Sequence, residues 1–138
     1  VTTEDRPLGS PAGISKSVLV EFSGEFDIAS KEQLRGQLDA LARVQRLCLD
    51  LSAVEYIDST AIGELIRLHK QRLELGLPTE TLVVGQNQPI RRLLGILHMD
   101  SLFAIEEHVP QSFTVTNDEV SRRCVAFRDG ILQATPQN

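Results

Sequence analysis

The sequence predicts an α/β fold, a small layer structure in which helices pack on a mostly parallel or mixed sheet of four to five strands. Two observations predict it. Short apolar, β-rich runs alternate along the chain with stretches whose leucines and isoleucines recur at three and four residues, and strands separated by helical crossovers pair in parallel with right-handed connections. The chain has 138 residues, of which 41% are apolar, enough for one core and not for two.

The elements follow in order. Val1 to Lys16 holds Pro7, Gly9, Ser10, Pro11 and Gly13 with little periodicity and reads as a flexible lead-in. Ser17 to Ser23 (SVLVEFS) is a strand closed by Gly24. Ser30 opens an S-x-x-Q capping box with Gln33, and Leu34, Leu38 and Leu41 place one apolar face on a helix running to about Arg43. Leu47 to Leu51 (LCLDL) is short and nearly continuously apolar, as a central strand covered on both faces would be.

Asp58-Ser59-Thr60 are three residues that favour helix starts, because their side-chain oxygens accept from exposed backbone N–H groups. The helix they open runs to about Leu75. Ile62, Leu65, Ile66 and Leu73 form its apolar stripe, Glu64, Arg67, Lys70 and Arg72 its wet face, and Gly76 and Pro78 end it. Thr81 to Val84 reads as a third strand. Pro89 suits the first turn of a helix carrying Ile90, Leu93, Leu94 and Leu97, and Leu102 to Ile105 makes a short fourth strand. Asn117 to Phe127 reads as a helix capped by Asn117 or Asp118, although its Val125-Ala126-Phe127 end is also strand-like.

Composition narrows the function classes. A formal charge of −5 with scattered Lys and Arg argues against nucleic acid as a partner, since phosphate backbones demand clustered cations. No apolar stretch reaches the ~18–20 residues of a membrane span and no charged-then-apolar leader is present, so no membrane insertion is expected. Cys48 lies inside an apolar run, Cys124 has no nearby thiol or histidine partner, and there is no CxxC motif. Two such thiols fit a reducing cytoplasm, with a Cys48–Cys124 disulfide the open alternative. His69 falls on the apolar stripe, where a packed or edge histidine is the expectation, and His98 and His108 lack partners at metal-like spacing. No metal site is therefore expected, no nucleotide cradle is expected because neither GxGxxG nor GxxxxGK[ST] occurs, and no cofactor is predicted.

The chemistry therefore converges on Asp58-Ser59-Thr60. A strand-to-helix junction puts a hydroxyl at the positive end of a helix dipole beside free N–H donors, a natural seat for phosphate. From the residues alone, plain helix capping is the better explanation of the triplet.

The longer segment LCLDLSAVEYIDSTAIGELI, Leu47 to Ile66, resembles the STAS domain of bacterial anti-sigma factor antagonists, with their strand, Asp-Ser-Ser/Thr-Gly-Leu-Gly and helix. Gly24-Glu25-Phe26-Asp27 is similar to that family's Gly-Glu-hydrophobic-Asp turn, and PIRRLLGILHMDSL, Pro89 to Leu102, to its basic-apolar helix before the last strand. The resemblance implies a STAS domain over residues 17–108 and a C-terminal extension over 109–138 whose role as packed helix, homodimer contact or loose tail stays open. It implies a partner switch, in which the unmodified chain binds a serine-kinase anti-sigma factor that carries the ATP. Phosphorylation of Ser59, with Thr60 the second candidate, ends the complex. The partner-facing surface it implies comprises Asp27, Asp58, Ser59, Thr60, Ala61, Ile62 and Gly63. Ala61 departs from the usual glycine and adds a methyl where a partner backbone would approach.

Two other readings compete. One is a constitutively bound STAS subunit of a stress-signalling scaffold or lipid-transport complex. The other is a small hydrolase-like enzyme using Asp50, Asp58 and Ser59, against which the missing nucleophile elbow and matched histidine count.

Overall fold

A computed structural model describes residues 14–114, 120–128 and 131–137, and these described residues form a six-stranded sheet with three α-helices. In chain order the elements are β1 (Ile14–Phe26), α1 (Lys31–Asp39), β2 (Val44–Ile57), α2 (Ser59–Glu74), β3 (Thr81–Val83), α3 (Gln88–Ile96), β4 (Ala104–Glu106), β5 (Val120–Arg128) and β6 (Ile131–Gln137). The sheet order is β4-β3-β2-β1-β5-β6. Every pair is parallel except β5 with β6.

Because β1 to β4 step across the sheet in one direction, right-handed crossovers lay all three helices on one face. Alternation along the strands feeds that face. Val18, Val20 and Phe22 of β1 and Leu47, Leu49 and Leu51 of β2 join Leu34, Leu38, Leu65, Leu68 and Leu94 of the helices in one buried cluster. The opposite residues Leu19, Cys48 and Val83 meet Phe113 in a second, smaller cluster, and the Arg46 guanidinium lies 4.6 Å from the Phe113 ring centroid. The central strand is thus covered on both sides, as its continuous apolar run predicts. Burial pushes the Cys48 thiol up to about 12.

Several expectations are corrected. The C-terminal extension from Val120 to Arg128 is a strand, not a helix, and with β6 it forms a hairpin that enlarges the sheet beyond five strands. Phe127 is fully buried beside Phe26, their rings edge to face at 4.9 Å, so the Val-Ala-Phe signal outweighs the Asn/Asp cap signal. Residues 117–119 of that expected helix, and residues 1–13 of the expected lead-in, lie outside the described residues. Ile14 to Lys16 already belong to β1. Gly24 does not close β1 but lies within it at φ +92°, where a Cβ would fall 2.0 Å from the Phe127 carbonyl oxygen. Glycine there permits the close approach of β5. Helix α1 ends at Asp39, short of Arg43, and the Ser30 hydroxyl turns away from it.

On α2, Glu64 and Arg72 are not wet: they are 4% and 0% exposed, whereas Leu73 is 64% exposed. One residue is a 100° step around a helix, so a stripe centred on Leu65 and Arg72 turns Leu73 outward. The guanidinium of Arg72 donates to Glu80 Oε2 at 2.6 Å, to the carbonyls of Gln45 at 3.3 Å and Pro78 at 3.2 Å, and to the Val44 carbonyl. His69 is buried as expected, its Nδ1 2.7 Å from Glu80 Oε1. Both cysteines are free. They sit on β2 and β5, which flank β1, about two strand spacings apart and beyond the ~7 Å Cα limit for a bridge.

Candidate functional site

Strand β2 reaches the site by two irregularities. Between Glu21 and Ser23 of β1 its register advances from Asp50 to Ala53, and between Gly24 and Glu25 from Val54 to Tyr56, one extra residue each time. Bulges leave carbonyls off the ladder. Asn87 takes them up, its Nδ2 donating to the carbonyls of Leu51, Ser52 and Val54 at 3.3, 3.2 and 2.7 Å while its Oδ1 accepts from Ile90 N–H at the start of α3.

The strand ends at Ile57, and Asp58 becomes the N-cap of α2 in extended conformation. Its Oδ1 accepts from Ala61 N–H at 3.0 Å and its Oδ2 from Ile28 N–H at 3.1 Å, while its own N–H donates to the Phe26 carbonyl at 3.0 Å. The ends of β1 and β2 are thereby joined. The turn after β1 is closed from within: Asp27 Oδ1 accepts from Ala29 N–H at 3.0 Å, and Ser30 Oγ accepts from Asp27 N–H at 3.2 Å and donates to its carbonyl at 3.0 Å. The box expected between Ser30 and Gln33 is formed one turn earlier, between Asp27 and Ser30.

Ser59 is the first residue of the 16-residue α2 and is exposed, while Thr60 is half-buried. Asp27 and Asp58, just beyond the ends of β1 and β2, are half-buried. Gly63 is exposed, with open space where a Cβ would stand. Ala61 and Ile62 point the other way, 0% and 4% exposed within the core. The Ala61 methyl therefore fills the interior and does not stand in the path of an approaching backbone. Two large apolar residues that the sequence reading missed are exposed near the ends of the two strands: Ile28, directly after Asp27, at 73%, and Tyr56, two residues before Asp58, at 54%. The available signal was an apolar residue directly after Asp27 and an apolar pair, Tyr56-Ile57, which strand alternation must split between core and solvent.

Helix α2 is anchored below its first turn. Arg35 of α1 grips Glu64 bidentately, Nε to Oε1 at 2.9 Å and Nη2 to Oε2 at 2.7 Å. That hydrogen bonding, with the charges of Arg35, Arg67 and Lys31, holds the Glu64 carboxyl below the usual carboxylate range against its burial. Arg67 adds a 2.8 Å contact to Asp39.

The arrangement can present a hydroxyl but has little with which to activate one. His69 is ten residues along α2 from Ser59 and engaged with Glu80, about 15 Å away at the helical rise. Both Asp58 oxygens accept from backbone N–H groups. Asp50 does not join them: it pairs with Glu21 in mid-strand and its Oδ1 accepts from Ser52 N–H and Oγ at 2.9 and 2.6 Å. His98 and His108 are exposed elsewhere, and among the described residues no three His, Cys, Asp or Glu side chains are grouped to hold a metal ion. No helix among them is long and apolar enough to cross a membrane.

The fold matches solved structures of the anti-sigma factor antagonist SpoIIAA. In its unphosphorylated form the TM-score is 0.55 at 13% identity, over 72% of this chain and 87% of that one. For the phosphorylated form of this Bacillus cell fate determinant it is 0.52 at 12% identity, over 72% and 88%. At such identities the likeness establishes the α/β fold. The sequence itself matches the family model of the STAS domain over residues 11–112, a span that holds β1 to β4, the Asp27 turn and the Asp58-Ser59-Thr60 junction, and the chain belongs to the STAS domain family.

Proposed function

We propose that this chain is an anti-sigma factor antagonist, a binding module without catalytic activity of its own, whose affinity for a serine-kinase anti-sigma factor is set by phosphorylation of Ser59. The observation that carries the reading is the exposed Ser59 in the first turn of α2, with the exposed Ile28 on the turn that Asp58 ties to that helix start. A large apolar side chain left in solvent near a modifiable hydroxyl fits a surface that a partner covers and dries. The unmodified chain binds the kinase and frees a sigma factor. The kinase, holding the ATP, then transfers phosphate to Ser59, and both proteins work in the cytoplasm.

The helix dipole and free N–H groups favour the added ~1.5–2 negative charges, while the neighbouring Asp58 and Asp27 oppose them. The fold tolerates that balance, but an interface closed over Ser59 does not, because phosphate brings desolvation and like-charge costs to it. A loss of ~2.7 kcal/mol already weakens binding ~100-fold. Ser59 is favoured over Thr60 as acceptor because Thr60 is half-buried.

Calorimetric titration with the cognate kinase tests the reading. Ser59→Asp is expected to weaken binding at least ~100-fold with stability nearly unchanged, and Ser59→Ala to bind like wild type yet gain no phosphate by mass spectrometry after incubation with kinase and ATP. Wild-type affinity in Ser59→Asp refutes it.

A further inference from the structure

Two stretches of chain thirty residues apart meet at Ser59, and they meet through Asp58. One of its carboxylate oxygens caps α2 by accepting from Ala61 N–H at 3.0 Å, and the other accepts from Ile28 N–H at 3.1 Å. Capping alone does not need the second oxygen, since Asn and Ser cap helices as well as Asp does. What the position requires is an acceptor at both ends, which a carboxylate supplies. An amide accepts at one end and donates at the other. The turn that the second oxygen grips is already closed by the bonds between Asp27, Ala29 and Ser30. It behaves as a preformed unit on the end of β1, with Ile28 standing in solvent.

We propose that Asp58 is a positioning residue that clasps the Asp27–Ser30 turn to the first turn of α2, so that Ile28 and Ser59 meet a partner as one rigid patch. A patch whose halves move separately has to be ordered on binding, and that ordering is subtracted from affinity. The inference rests on the reading of the Ser59 face as the kinase-docking surface, whereas the clasp itself can be tested without a partner.

Asp58→Asn keeps the cap and removes the second acceptor. In native-state amide exchange followed by NMR, the Ile28 amide is expected to exchange at least ~10-fold faster, the loss of a hydrogen bond to a charged acceptor, with Ala61 and the β2 core amides unchanged. A wild-type rate at Ile28, or equal acceleration throughout, overturns the clasp. In titrations with a serine-kinase anti-sigma factor from the same genome, Asp58→Asn is expected to weaken binding ~10-fold in the wild-type background and to have no further effect beside Ile28→Ala. Additive losses overturn the positioning role. If neither wild type nor variants bind any such kinase, the reading of the surface fails, and the exchange rates still decide the clasp.

Discussion

Replacing Arg72 by Met removes the charge and all the donors while keeping most of the volume. Its consequence follows from the bonds that the guanidinium makes. Arg72 is fully buried and donates to Glu80 and to the carbonyls of Val44, Gln45 and Pro78. After substitution Glu80, itself 1% exposed, keeps His69 as its side-chain partner, and the buried Val44 carbonyl loses a donor that water cannot easily replace. Breaking a buried, hydrogen-bonded ion pair on one side costs ~3–5 kcal/mol, against a total stability of ~5–15 kcal/mol for a domain. For a chain of this length that corresponds to a fall in Tm of roughly 10–20 °C. Urea unfolding followed by circular dichroism measures it, with Cm expected to drop at constant m. Adding Glu80→Gln to Arg72→Met should restore part of the loss, because the stranded charge goes with it. A loss below ~1 kcal/mol in Arg72→Met, or strict additivity in the double variant, refutes the reasoning.

Two further predictions concern other contacts. The Glu64 carboxyl is held below its unfolded value by Arg35, so the unfolded state binds more protons in the window beneath pH ~4.3 and stability there rises with pH. Wild type should therefore exceed Glu64→Gln most above pH ~5, with the gap closing as pH falls through the folded-state value; urea titrations from pH 3 to 7 that show a constant gap contradict this. Gly24→Ala should cost at least ~2 kcal/mol, since a left-handed φ is combined with a methyl driven onto the Phe127 carbonyl. Amide exchange should show β5 loosened first, and a variant as stable as wild type with β5 protection intact refutes the close approach.

Legibility in the sequence followed the range of the interaction. The β1-α1-β2-α2-β3-α3-β4 order was readable because each element declares itself locally, through the covered run at Leu47 to Leu51 or the Gly76 and Pro78 stop after α2. So was the helix start at Asp58-Ser59, because a cap triplet between an apolar strand and a periodic helix is a local pattern. What escaped depends on residues far apart in sequence. Nothing near Arg72 announces that the Val44 and Gln45 carbonyls, 28 and 27 residues upstream, will take its donors, so a basic residue on a helix reads as solvated. Glu64 is misread alike, its partner Arg35 lying 29 residues away. The extension fails for a different reason: an Asn/Asp cap signal and a Val-Ala-Phe strand signal compete there, and pairing with β1 through Gly24 and the edge-to-face contact with Phe26 decide it.

The same long-range contacts bear on how a phosphate at Ser59 would act. Helix α2 is tied at its start by Asp58 to Ile28, in its second turn by Glu64 to Arg35, and in its last turn by Arg72 to β2 and Glu80. For the helix to shift as a body all of these ties have to break together, and breaking the buried Arg72 contact alone costs several kcal/mol by the reasoning above. The field of one exposed phosphate in water is weaker than that, ~1 kcal/mol per charge at 4 Å. Modification at this position is therefore expected to leave the scaffold in place and to act on whatever lies across from Ser59, where desolvation makes the same charge far more costly.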